Sequence, residues 1–322
     1  MWTYVVRRIL WTVPILLGVM LITFSLFSLL ASDPARQYAG KFATPEVLEA
    51  VRAKMGLDKP RWLDTRALQQ GRIADAFNSQ FFDVMFFRFP ESMRWEAPLW
   101  ELIKRKAPAS MMIQVPAFII TLGLQLALAL YVAFRRGRRA DHLITFFAVL
   151  GMSVPALSIY ILAQWLFGQQ LEWFPVAGWE KGVHAIRFAA LPILLSVLMG
   201  LGGGVRFYRT VMLEEVNADY VRTARAKGVS QREVMFTHVL RNAMIPIITS
   251  TVTALPGLVL GALLLERIFQ IPGLGNLMVE AIGNNDRSVV MGMTYILSIV
   301  YCLLLLVTDL CYALVDPRVR LR

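Results

Sequence analysis

The stretch His142–Leu171, HLITFFAVLGMSVPALSIYILAQWLFGQQL, runs for 30 residues without an Asp, Glu, Lys or Arg. A bilayer core about 30 Å thick is crossed by roughly 17 to 25 apolar helical residues, so this stretch alone is long enough to span a membrane. It is expected to be helical, because a lipid-embedded backbone must satisfy its own hydrogen bonds. Pro155 falls near its middle, where the missing N–H tends to kink a helix.

Five further uncharged runs flank it: Ile9–Ser32 (24 residues), Ala107–Phe134 (28), Phe188–Val205 (18), Asn242–Leu265 (24) and Ser288–Thr308 (21). The six together hold 145 of 322 residues, and a β-barrel would show short alternating segments instead. The fold class expected is therefore all-α, a polytopic membrane protein with six transmembrane helices. Composition agrees, with 57% hydrophobic and 17% charged residues against roughly 45 to 50% and 25% in soluble domains. A net charge of +11 would suit a nucleic-acid binder only if it lined a soluble face, which the apolar excess argues against. No nucleic-acid partner is expected; the lipid bilayer is.

With the amino terminus in the cytoplasm, the inner segments carry 16 basic residues and the two short outer loops only Lys181, Arg187, Arg267 and Arg287. The tendency of basic residues to stay inside therefore places both termini in the cytoplasm. The chain divides into residues 1–32 (first span), 33–106 (a long outer segment, exempt from the charge rule by its length) and 107–322 (a five-helix core with a cytoplasmic loop at 206–242). Leu99, Trp100, Leu102 and Ile103 beside Lys104, Arg105 and Lys106 suggest an amphipathic surface helix that ends before Pro108. The first run reads as a retained span, being longer than a signal-peptide core and lacking an A-x-A-like site.

Inside the spans the chemistry is sparse. Gly200 and Gly204 form a G-x-x-x-G pair that permits close helix contact. Glu266 and Asp309 lie at span ends, where headgroups or water would reach them. His142, His184 and His238 fall in separate segments, so no metal site is expected, and no phosphate loop or catalytic triad is present. Energy for transport would have to come from another subunit.

The most informative segment is Glu214–Glu233, EEVNADYVRTARAKGVSQRE. Acidic residues open it and basic ones precede Gly228, matching a helix dipole that stops at that glycine. Ser230 and Glu233 then form an S-x-x-E capping box for a second helix. The predicted unit is helix, glycine elbow, helix. Its small residues Ala224, Ala226 and Gly228 suit a partner's groove, and Arg222, Arg225 and Lys227 suit a partner's carboxylates. A solvated basic connection is the plainer alternative.

These residues resemble the inner-membrane permease subunits of binding-protein-dependent ABC importers, of the dipeptide, oligopeptide and nickel type, B-like subunit. Asp219–Gly228 looks like that subfamily's E-A-A-x-x-x-G coupling loop, with Arg222 where Glu is general, Thr223 where Ala is general, and Arg241 at the position of the late proline. The likeness continues through His238–Ala243, Ile245-Pro246, Glu266, Phe269, Pro272-Gly273-Leu274-Gly275, Ala281, Asp286, Asp309, Tyr312 and Asp316-Pro317-Arg318. It includes Arg7-Arg8, Asp33-Pro34 and Gly56–Pro60, and is weakest over 61–106.

The resemblance implies that Asp219, Tyr220, Arg222, Thr223, Ala224, Arg225, Ala226, Lys227 and Gly228 dock on a separate ATPase. It implies that Glu266, Phe269, Pro272, Gly273, Leu274 and Gly275 form an outer gate or a contact for the binding protein, with a plain tight turn as the alternative. The implied partners are a homologous second permease, two ATP-binding subunits that hold ATP and Mg, and a periplasmic solute-binding protein, all around the bacterial inner membrane. The chain itself is expected to hold no cofactor and to be no enzyme. The solute is expected to be a di- or oligopeptide. A stand-alone secondary carrier or channel, or a membrane-anchored sensor, would be the competing classes.

Overall fold

The computed structural model describes residues 2–29, 34–40, 43–260 and 263–315. Asp33, Asp316, Pro317 and Arg318 and the two chain ends lie outside this set, as do the side chains of Asp309 and Tyr312. The principal helices are α1 (Trp2–Leu29), α2 (Leu99–Phe134), α3 (Arg139–Ser153), α4 (Ala156–Ala163), α5 (Ala185–Val216), α6 (Asp219–Ala226), α7 (Leu240–Leu260), α8 (Leu263–Ile268), α9 (Leu274–Gly283) and α10 (Arg287–Val315). Among the described residues there is no strand, only a single bridge between Ser92 and Ala97.

The protein is all-helical and membrane-spanning. Four described helical stretches are long and apolar enough to cross a bilayer: Ile9–Leu29, Leu99–Phe134, Gly182–Val216 and Arg287–Thr308. A fifth is reached if the pair Arg139–Ser153 and Ala156–Gln170 is one span. The fifth apolar run of the sequence is occupied by α7, 21 residues long, and by α8, with 261–262 between them outside the described set.

The stretch from His142 to Leu171 is broken rather than merely kinked, its two arms meeting at 93°. Pro155 is the cause. Its ring excludes helical geometry from the preceding residue, and Val154 sits at φ −95°, ψ 129° in the extended region. The expected helix end before Pro108 does not occur: α2 continues for 36 residues, roughly 54 Å. One proline costs one backbone bond, and buried residues hold the helix on both sides of it. Leu99 and Leu102 pack in one cluster, Ala109 and Ile113 in another.

The chain forms two compact units. One comprises Trp2–Pro108 with Leu274–Leu303, the other Ala109–Gly273 with the chain from Leu304. The division differs from the sequence-based one, in which everything after residue 106 was a single core, because Leu274–Leu303 makes its contacts with the first span and the outer segment. Tyr295 donates its hydroxyl to the Met20 carbonyl at 3.0 Å, Ser92 Oγ donates to Asp286 Oδ2 at 2.5 Å, and Leu99 fills the space beside Gly292.

In the second unit the G-x-x-x-G pair does what its spacing predicts. A Cβ on Gly200 would stand 2.7 Å from Thr121 Cγ2, and one on Gly204 would overlap the Gln125 amide. Gln125 Nε2 instead donates to the Gly200 carbonyl at 2.8 Å. Gly202 faces α3, where a Cβ would meet the Ala148 carbonyl at 2.6 Å. Backbones approach this closely only without side chains.

Candidate functional site

Helix α5 runs to Val216, so Glu214 and Glu215 close it rather than open the next helix, contrary to the sequence-based expectation. The chain breaks at Asn217–Ala218, where Arg136 Nη1 donates to Asn217 Oδ1 at 2.9 Å, and α6 starts at Asp219. The dipole argument survives on two residues, Asp219 in the first turn and Arg225 in the last.

Val221 and Ala224, three apart and hence on one face, are buried against Tyr208, Met212, Val234, Met235 and Val239. Ala224 therefore anchors the helix to its own chain and is not free for a partner. Arg222, Thr223, Arg225, Ala226, Lys227 and Gly228 are exposed. Arg222 lies 3.4 Å from Asp219; among the described residues Arg225 and Lys227 make no ion pair.

The elbow is a Schellman stop. Val229 N donates to the Ala224 carbonyl at 3.2 Å and Gly228 N to the Arg225 carbonyl at 3.0 Å, with Gly228 at φ +79°, the left-handed region that glycine enters without steric cost. Val229 packs against the cluster that holds Ala224. Ser230 Oγ then accepts from Glu233 N at 3.3 Å, and the chain passes through a π-helical turn, Val234–Val239, into α7. Tyr220 donates its hydroxyl to Glu215. Partial burial, then that hydrogen bond, push its phenol up to about 12, so it remains a neutral donor near pH 7.

A second feature beside the elbow escaped the sequence reading. Arg209 of α5 holds Asp141 of α3 through Nε to Oδ1 at 2.8 Å and Nη2 to Oδ2 at 3.0 Å. Gly137 N donates to Asp141 Oδ2 at 2.9 Å. The Asp141 side chain is 4% exposed and that of Arg209 26%. The available signal was an acid directly after Arg-Arg-Gly-Arg-Arg-Ala, at the edge of an uncharged run.

Removing either partner strands the other charge. Asp141→Ala is expected to cost about 2–3 kcal/mol, below the 3–5 of a fully buried pair because Arg209 reaches solvent. Paired replacement with Leu and Met should restore most of the loss in thermal melts of the detergent-solubilised chain. Equal melting of the single variant and the parent would dismiss the pair as a brace.

The outer turn is more buried than expected. Glu266 is 0% exposed, not at the reach of headgroups, and Ser110 Oγ donates to its Oε1 at 2.7 Å. Phe269 is buried with it. Helix α8 ends in the same hydrogen-bond pattern as the elbow, Ile271 N to the Glu266 carbonyl at 2.8 Å, with Gln270 at φ +53° in place of a glycine. Gly273 follows Pro272, and a Cβ there would overlap the Glu266 carboxylate and the Ser110 hydroxyl. Leu274 and Gly275 open α9 and are buried in the other unit. Five of the six sequence-selected residues thus lie in the interior, Pro272 being partly exposed.

Residues 125–321 match the family described as binding-protein-dependent transport system inner membrane component, and residues 1–114 match its N-terminal companion. The chain belongs to this family. The permease is 33% identical over 320 residues, 98% of each chain, to a Brucella abortus (strain 2308) protein assigned to a peptide transport system as a permease. It is 32% identical to the dipeptide transport system permease protein of Lactococcus lactis subsp. cremoris (strain MG1363), covering 95% of this chain and 97% of that one. It is also 32% identical to the glutathione transport system permease protein of Salmonella paratyphi A (strain ATCC 9150 / SARB42), covering 99% of each. The resemblance read from the elbow and the outer turn is thereby shown at family level, and the permease is a multi-pass membrane subunit of a binding-protein-dependent transport system.

Proposed function

We propose that this permease forms half of the pathway of an ATP-driven importer of short peptides in the bacterial inner membrane, with both termini in the cytoplasm and six spans. A homologous second permease completes the pathway. Two ATP-binding subunits, which bind ATP and Mg, drive it, and a periplasmic solute-binding protein delivers the solute. The chain itself hydrolyses nothing. The observation that carries this reading is the locked elbow: α6 is fixed to its own chain by Val221 and Ala224 while Arg222, Arg225 and Lys227 face outward. A helix held this rigidly can transmit a push from a docked ATPase into α5 and α7, whereas a loose basic loop would absorb it. The peptide assignment follows the names of the relatives. The outer turn is assigned to the gate, where its burial would tie movement of α8 to Ser110 on α2.

A single-cysteine variant, Arg225→Cys, tests the docking. Cross-linking to a cysteine-bearing ATPase subunit in membranes is expected, together with copurification of that subunit. Absence of both in every nucleotide state would sink the assignment. The buried Glu266 is the kind of group a proton-coupled carrier uses, so solute flux through the purified chain alone in liposomes would favour the carrier instead.

A further inference from the structure

The outer segment and the first turn of α10 enclose a cavity of about 360 Å³ within one compact unit, a size typical of small-ligand sites. Its wall combines Phe24, Met55 and Phe89 with Asp83, Glu91 and Asp286, and with Arg88, Arg94 and Arg287. The acids are mostly engaged. Asp83 pairs with Lys59 at 2.5 Å, and Asp286 accepts from Ser92 Oγ at 2.5 Å and from Val289 N at 3.2 Å. The arginines lack a charge partner: among the described residues none of the three makes an ion pair, and Arg287 has only neutral acceptors, its Nε donating to Met291 Sδ at 3.2 Å.

Arg287 is the fixed one. It is half-buried, with its Nη2 donating to Ser28 Oγ at 3.0 Å and its guanidinium 5.6 Å from the centre of the Phe24 ring. Arg61 converges on the same residue, donating through Nη1 to the Ser28 carbonyl at 3.2 Å. Among the described residues neither guanidinium makes an ion pair; two like charges gathered at one residue repel each other, and an anion offsets that repulsion. The apolar wall would cover the ligand's body, and a planar carboxylate matches the guanidinium fork.

The geometry points to a binding site in this cavity for a small carboxylate with an apolar body, such as the C-terminal residues of a short peptide, with Arg287 as its anchor and Arg88 and Arg94 at the rim. The inference rests on the proposed outward orientation of this segment and on no ATPase contact.

The test uses the full-length chain in nanodiscs of zwitterionic lipid, titrated calorimetrically with the dipeptide Ala-Phe and with its C-terminal amide. Saturable binding of the acid, weaker by about tenfold or more for the amide, is expected. Arg287→Gln should lose a similar factor, and the exposed Arg88→Gln a smaller one that does not depend on the half-buried site refolding. Adding phosphatidylglycerol should leave the affinity unchanged; displacement by that lipid would reassign the site to a headgroup and overturn the proposal. Equal binding of acid and amide, wild-type affinity in both variants, or no saturable heat would also overturn it. Because no ATPase is present, failure here leaves the coupling assignment to its own cross-linking test.

Discussion

A chain carrying Gly228→Pro is expected to reach the membrane at the parental level and to lose solute uptake by at least about tenfold. Three features of the elbow fail at once. Proline fixes φ near −65°, whereas Gly228 sits at +79°. The substitution removes the N–H that donates to the Arg225 carbonyl. It also pushes the preceding residue out of the α region, and Lys227 is at φ −77°, ψ 1°. The local cost is about 3 kcal/mol or more, enough to unwind the last turn of an eight-residue helix and to release Ala224 from its cluster. None of the apolar runs is touched, so insertion has no reason to change. Gly228→Ala is the graded control: it keeps the N–H and pays only the left-handed strain, about 1–2 kcal/mol, so uptake should fall partway. Immunoblots of membrane fractions beside radiolabelled uptake decide it. Parental uptake in the proline variant would mean that the elbow carries no force.

Gly273→Val should be the most damaging single change in the second unit. The new side chain occupies the place of the Glu266 carboxylate and the Ser110 hydroxyl, both buried. Relief requires either moving α8 or turning a carboxylate away from its donors inside the protein. Overpacking alone costs about 1–3 kcal/mol, and a displaced buried acid adds about as much again. A drop of many degrees in the detergent melting temperature is the expected readout. Glu266→Ala should be milder, since it leaves Ser110 without one acceptor but opens space. Were Gly273→Val to melt with the parent, the close contact with Glu266 would have to be abandoned.

Much of this was legible in the residues. Uncharged runs of 18 to 30 residues can only be helices in lipid, so the class of fold needed no tertiary information. The elbow was legible for a local reason: a glycine stop and a serine cap act on backbone groups within five residues, and both are found where the sequence put them. The glycine pair at 200 and 204 was equally readable as a contact face, though the sequence could not name Thr121 and Gln125 as what fills it.

Errors arose where a local rule competed with packing or with a neighbouring element. Glu214 and Glu215 looked like a helix start because acids favour that end, but α5 simply extends about three turns beyond its apolar run. Pro108 looked like a boundary, yet α2 carries on because Leu99, Leu102, Ala109 and Ile113 secure it on either side. Glu266 looked accessible because it ends an apolar run, and burial is invisible to a position count.

By itself, then, the sequence determined the helical membrane class and the elbow at Gly228, because each depends on composition or on contacts a few residues apart. Tertiary structure alone decided which side of α6 faces outward, that Arg209 on α5 clamps Asp141 on α3, that Ser110 on α2 meets the buried Glu266, and that Arg287 shares Ser28 with Arg61. Each of those depends on groups brought together across about 30 to 260 residues of chain, and a sequence read along its length holds no record of which distant helix will supply the partner.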